Sequence, residues 1–201
     1  MSNTYYLNTD ELRGMQEKLN ASDRVILSGT IYTARDAAHK RIFGLLDEGK
    51  PLPFALKDAI IYYAGPTPAQ QGMAVGACGP TTASRMNAFA PRLLDLGLVA
   101  MIGKGGRAQP VVDAIIRNGG VYFCAIGGAG AAISGCIKKV EVLAFEELGV
   151  DAVTALLQDF RLSQHKGEDI IRAAGAGEMH PKLLQTLIHL PVAFIDDTIL
   201  G

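Results

Sequence analysis

Four short stretches carry side chains whose type and spacing suit the binding of a small anion. In Gly79-Pro80-Thr81-Thr82-Ala83-Ser84-Arg85, a Gly-Pro turn leads to two hydroxyls, and Arg85 follows Thr81 by one helical turn. Both side chains could then face one ligand, although a Thr N-cap followed by a solvated arginine explains the same letters. In Thr33-Ala34-Arg35-Asp36 an arginine stands where a strand hands over to a helix. That place suits a bidentate carboxylate contact, and a surface pair between Arg35 and Asp36 is the plainer alternative. His39, one turn later, has the spacing of a structural hydrogen-bonding histidine. Met101-Ile102-Gly103-Lys104-Gly105-Gly106-Arg107 flanks a lysine with glycines, which either presents a cation into a cleft or makes a simple turn. It is not a Walker loop, because the upstream glycine spacing and the following Ser/Thr are missing. Gly127-Gly128-Ala129-Gly130-Ala131-Ala132-Ile133 follows a strand as a dinucleotide-binding turn would, with Glu146 near the place of a ribose-binding acid. Ile133 replaces the third glycine, so close backbone packing or anion binding is the preferred reading there.

The elements that must position these loops are legible from periodicity. Asn8-Thr9-Asp10-Glu11 reads as a helix start, followed by Leu12, Met15 and Leu19 on one face. Arg24 to Tyr32 reads as a strand, and Arg35 to Asp47 as a helix with Ala38, Ile42 and Leu45 turned inward. Ala59 to Ala64 and Met73 to Ala77 are apolar runs on either side of a Gly65-Pro66-Thr67-Pro68 loop. A helix is expected from Gly79 to about Leu96. Beyond it come a strand from Leu98, a helix over Pro110 to Arg117, a strand at VYFCAIG, a short helix after the glycine turn, and a strand at KKVEVLAF. Asp151 to Gln158 reads as helical and Pro191 to Asp196 as a last strand. Such alternation predicts one α/β domain over 1–201, a layered sheet with flanking helices.

Composition narrows the function classes. Of 201 residues 49% are hydrophobic and 19% charged, enough apolar surface to offset the entropy of ordering and to exclude disorder. The net charge is -1 with no basic run, which argues against nucleic acid as a partner. No apolar run reaches the roughly 18 residues of a membrane span, and Met1 to Asp10 lacks a signal-peptide pattern, so a cytoplasmic protein is expected. Cys78, Cys124 and Cys136 are widely spaced, with neither a disulfide framework nor a complete metal site.

Taken together, YAGPTP (Tyr63 to Pro68), GPTTASRMNAFAPRLLDLGL (Gly79 to Leu98), IGKGGR (Ile102 to Arg107), GGVYFCAIGGAGA (Gly119 to Ala131) and KKVEVLAFEELG (Lys138 to Gly149) resemble one family. It is the C-terminal part of class I, iron-sulfur-dependent fumarases, shared by the beta subunits of fumarase and L-tartrate dehydratase. The resemblance runs in order from about Asp23 to Phe160, with PVAFIDD as a last element. It implies a swivelling β/β/α domain that closes over a [4Fe-4S] cluster bound by an alpha subunit. A hetero-oligomer follows, with a dimer of this chain as the alternative state, and the substrate would be a small dicarboxylate such as malate, fumarate or tartrate.

Carried over motif by motif, the resemblance makes Arg35 and Arg85 binders of substrate carboxylates, joined by Thr82 and by Lys104 as a further cation, with Thr81 as candidate base. Loss of water from a 2-hydroxy dicarboxylate builds charge on a carboxylate as the neighbouring C-H proton leaves, and arginines and a lysine stabilise it. An open cluster iron would act as Lewis acid on the leaving hydroxyl. A threonine is a base only as alkoxide, which nearby cations favour. Two departures stand out: Asn87 where many members have Asp, and an apparent insertion at 161–190. A Rossmann-like nucleotide module and a noncatalytic structural subunit are the competing readings.

Overall fold

The computed structural model describes residues 3–21, 23–125 and 127–159, together with the backbone of 171–174. In chain order these residues form β1 (Thr4–Asn8), α1 (Leu12–Met15), β2 (Arg24–Thr33), α2 (Asp36–Asp47) and β3 (Ile60–Tyr62). A 3-10 turn (Ala83–Met86) precedes α3 (Ala90–Asp95), β4 (Ala100–Gly103), α4 (Gln109–Asn118), β5 (Val121–Ala125) and α5 (Gly130–Ser134). Next come β6 (Ile137–Ala144), a 3-10 segment (Glu146–Asp151), β7 (Val153–Asp159) and β8 (Ile171–Ala174). All eight strands join one sheet in the order β3-β4-β5-β8-β2-β7-β6, with β1 added beside β2.

Apolar strands that read as unbroken runs divide their side chains between two cores, because successive residues point to opposite faces. Ile61, Tyr63, Met101, Tyr122 and Val153 pack against Ala38 and Ile42 of α2, Leu93 and Leu94 of α3, and Val111 and Ile115 of α4. Ile60, Tyr62, Ile102, Val121, Phe123 and Leu156 face the other way, onto Leu7, Leu12, Leu27 and Ile133. The predicted α/β layering therefore holds, with helices on the sheet faces and few polar groups between.

One topological fact positions the site. β2, β3, β4 and β5 run parallel to one another, whereas β7 and β8 lie antiparallel to β2. Thr33, Tyr62, Gly103 and Ala125 thus all end at the same edge, and the loops that follow them share it. β2 pairs with β3 near its C-terminal end and with β8 at its start, so five strands close a ring.

Two sequence expectations change. The helix expected over 79–96 is broken: residues 80–82 are extended, Ala83–Met86 is a tight turn, and α3 starts only at Ala90 with Pro91 in its first turn. Proline has no N-H to donate and its ring clashes with the preceding turn, so a helix through residue 91 must restart there. The stretch read as a helix over Asp151 to Gln158 is β7, a strand held on both sides by β2 and β6. Val153 and Thr154 are β-branched and suit it; the pairing on both flanks outweighs local propensity. The apolar run Met73 to Ala77 makes bends, and β1, which pairs Thr4–Asn8 with Arg24–Ser28, lies in a stretch to which the sequence reading assigns no strand. β8 falls inside 161–190; the rest of that stretch and Pro191 to Asp196 lie outside the described residues. Among the described residues no helix is long and apolar enough to cross a membrane.

Candidate active site

Past the Tyr62–Ile102 pair, β3 and β4 part and the segment 80–83 enters between them. Pro80 bridges Ala64, and Thr82 bridges Lys104. The Thr81 N-H donates to the Tyr63 carbonyl at 2.6 Å, the Lys104 N-H to the Thr81 carbonyl at 3.2 Å, and the Ala83 N-H to the Lys104 carbonyl at 2.8 Å. Backbone hydrogen bonds thus fix Thr81 and Thr82 beside Lys104 at the edge where the parallel strands end, without a helix N-terminus.

Side chains at this edge fall into two kinds. Lys104 is half-buried, Thr81 half-buried and Thr82 exposed, and among the described residues none of the three side chains has an ion pair or hydrogen bond. A Cβ placed on Gly127, after β5, would stand 3.8 Å from the Lys104 ammonium nitrogen, which locates that cation against the glycine turn. The two arginines are instead held internally. Arg35 donates from Nε to Asp151 Oδ1 at 2.6 Å and from Nη2 to the same oxygen. Its guanidinium lies flat on Gly65, where a Cβ would stand 2.5 Å from Cζ, so any larger residue there would displace it. Arg85 grips Asp36 through Nε to Oδ1 at 3.1 Å and Nη2 to Oδ2 at 2.6 Å. The Arg35–Asp36 pairing considered from sequence is therefore exchanged: Asp36 serves Arg85, and Arg35 takes Asp151. Among the described residues Nη1 of each arginine is left without a partner.

His39 supports this arrangement from behind. Its Nδ1 lies 2.8 Å from the Arg35 carbonyl, which can only accept, so the proton sits on Nδ1. The ring packs against Tyr63 and Phe89, Nε2 has no partner, and burial brings its pKa down to about 4. A neutral, structural histidine results. Arg107 also lies in this layer, between the rings of Tyr63 and Tyr122. The sequence showed Arg107 as the end of a glycine loop and Asp151 as part of a helix, so neither was singled out; pairing across 116 positions leaves no local signal.

The Gly127–Gly130 turn is explained by packing. A Cβ on Gly130 would stand 3.1 Å from the Gly79 nitrogen, and the Cys78 N-H donates to the Gly130 carbonyl at 3.0 Å. β6, which follows α5, runs antiparallel to β7 and is not a neighbour of β5. The βαβ unit that a dinucleotide needs is thus replaced by another connection. Cysteine chemistry is equally plain: Cys78 and Cys136 are buried, and burial pushes the Cys78 thiol up to about 12 and raises Cys124. Among the described residues no three His, Cys, Asp or Glu side chains gather as a metal site. This donor set does not fit an iron-sulfur cluster, whose ligands are thiolates.

The family model described as Fumarase C-terminus matches residues 2–171. The chain belongs to the fumarase C-terminal family. The aerobic class I fumarate hydratase of Salmonella typhimurium is 40% identical over 157 residues, 75% of this chain and 27% of that protein. Fumarate hydratase 2 of Leishmania major is 40% identical over 158 residues, with the same shares. A putative L(+)-tartrate dehydratase subunit beta of Methanocaldococcus jannaschii is 38% identical over 138 residues, 67% of this chain and 71% of that one. The chain spans about a quarter of the length of these two fumarate hydratases. The residues that the family model matches include every range from which the candidate site is built.

Proposed function

We propose that this chain is the beta-type half of a cytoplasmic hydro-lyase that dehydrates a hydroxy dicarboxylate, malate or tartrate, and works with an alpha-type partner that carries a [4Fe-4S] cluster. The observation that carries the reading is the bridge between Thr82 and Lys104. It holds two hydroxyls, and a cation that has no counter-ion among the described residues, at the strand edge that also bears Arg35 and Arg85. The family's fumarate hydratases and tartrate dehydratase subunit supply the reaction class; the cysteines of this chain give the reason to assign the cluster to the partner.

In this reading Arg35 and Arg85 hold the substrate carboxylates through the nitrogens that their aspartates leave open. Lys104 adds positive charge where the carboxylate gains it as the neighbouring C-H proton departs. Thr81 takes that proton from its fixed place between Tyr63 and Lys104, in a positive environment that favours the alkoxide. Thr82 lines the same edge.

Anaerobic mixing with a cluster-bearing alpha chain tests the proposal, with malate and tartrate offered separately and the dehydrated product measured. Activity in the pair and none in either chain alone is expected. Substantial turnover by this chain without iron, or none by the pair with any hydroxy dicarboxylate, would overturn it.

A further inference from the structure

Arg107 carries a charge that no carboxylate among the described residues balances. Its guanidinium carbon lies 5.2 Å from the centroid of the Tyr63 ring and 5.4 Å from that of Tyr122. Two aromatic faces fix the plane of the group, and the donors at its rim then point in set directions. Nη1 donates to the Ala83 carbonyl, and Nη2 to the Tyr63 hydroxyl at 3.3 Å. The Tyr122 hydroxyl donates to the Gly105 carbonyl at 2.8 Å, which ties the second ring to the loop that carries both Lys104 and Arg107.

Ala83 is gripped at both its polar groups. Its N-H goes to the Lys104 carbonyl and its carbonyl to Arg107, while the Lys104 N-H goes to Thr81. The loop 104–107 therefore closes around 81–83, and a single side chain supplies the far jaw. Nε of Arg107 is buried without a partner, a cost that a purely structural residue of the same length, such as methionine, would avoid.

We propose that Arg107 is a positioning residue for the hydro-lyase reaction: its guanidinium, held between Tyr63 and Tyr122, fixes the Ala83 carbonyl and so the register of Thr81 and Thr82 against Lys104. The proposal rests on the reading of the site given above. It assigns Arg107 no contact with substrate, so it separates kcat from KM. Arg35 and Arg85, which bind, are held by their own aspartates on other segments.

The test uses Arg107→Lys and Arg107→Gln, each assayed in the reconstituted pair and each followed by amide hydrogen exchange on the chain itself. Both variants are expected to lower kcat on the order of tenfold to a hundredfold, the scale of a misplaced reacting group, with KM within about twofold. Faster exchange at Ala83 and Lys104, with Val112 to Ile115 of α4 unchanged, is expected alongside. A wild-type kcat in Arg107→Lys would overturn the proposal, because charge alone would then suffice. Loss of protection throughout α4 and β5 would also overturn it, by showing a scaffold role. An inactive wild-type pair would defeat the hydro-lyase reading instead, and exchange at Ala83 and Lys104 would still decide whether the clamp exists. Where Arg107→Gln does not fold, Tyr122→Phe unties the ring from Gly105 and leaves the arginine in place. The same split at smaller size is expected there, and an unchanged kcat would overturn the proposal.

Discussion

The arginine side of the site and its lysine-threonine side are built in opposite ways. Arg35 and Arg85 each have their guanidinium locked by an aspartate, and the Arg35 carbonyl is further held by His39. Lys104, Thr81 and Thr82 have fixed backbones and side chains that make no ion pair or hydrogen bond among the described residues. The difference matches what each group would do in the proposed reaction. A residue that binds a constant negative charge gains from preorientation, and a guanidinium loses little by it, because one edge can be held while another nitrogen stays open. A residue that must meet charge appearing during the reaction is better left without a counter-ion. A carboxylate beside Thr81 would disfavour its alkoxide, and one on Lys104 would cancel the field it supplies.

Thr81 is where this contrast breaks most visibly. In the reconstituted pair, Thr81→Val keeps the shape and removes the hydroxyl, and should lower kcat by roughly a hundredfold to ten-thousandfold, the range of a lost acid-base group. KM should hold, because the arginines are untouched. A kcat near wild type would move the base to another chain and leave the lysine-threonine side as a binding surface only.

His39 tests the locked side through pH. Burial depresses its pKa from 6.5 to about 4, so the folded chain refuses a proton that the unfolded chain accepts. Stability from this group is complete above about pH 6.5 and is lost as the pH falls towards 4, about 3 kcal/mol over the whole interval. Urea unfolding of His39→Gln should show a shallower fall in stability between those pH values than wild type. Identical slopes would mean that the histidine takes up its proton in the fold as readily as in the unfolded chain.

Much of this was legible in the sequence, and the exceptions have a common physical cause. β2 with α2, β4 with α4, and β5 were marked by periodicity and glycine punctuation, and Arg35 and Lys104 follow parallel strands to one edge, where backbone bonds to Lys104 hold Thr81 and Thr82 and Asp36 holds Arg85. What could not be read depended on distant partners. β7 has letters that suit a helix and became a strand because β2 and β6 flank it. Asp151 meets Arg35 only through that fold, and Arg107 finds one tyrosine just after β3 and the other in β5. The broken helix after Gly79 differs: Pro91 announced it locally.

A smaller effect is expected at Arg85, whose side chain is half exposed. Arg85→Ala should lower kcat/KM by about 2 to 3 kcal/mol, the loss of a charge-assisted carboxylate contact, and unchanged kinetics would remove Arg85 from the site. Asp151 should give the smallest shift and the sharpest test of what locking means. If the aspartate orients Arg35, then Asp151→Asn retains an oxygen to accept from Nε and stays within about twofold of wild type, whereas Asp151→Ala frees the guanidinium and raises KM by roughly fivefold, near 1 kcal/mol. If instead the aspartate competes with substrate for the same nitrogens, both changes lower KM, because each removes a rival charge. The two readings differ in sign for Asp151→Ala. A KM that falls there would turn the locked side of the site from a preoriented clamp into one that substrate must first open.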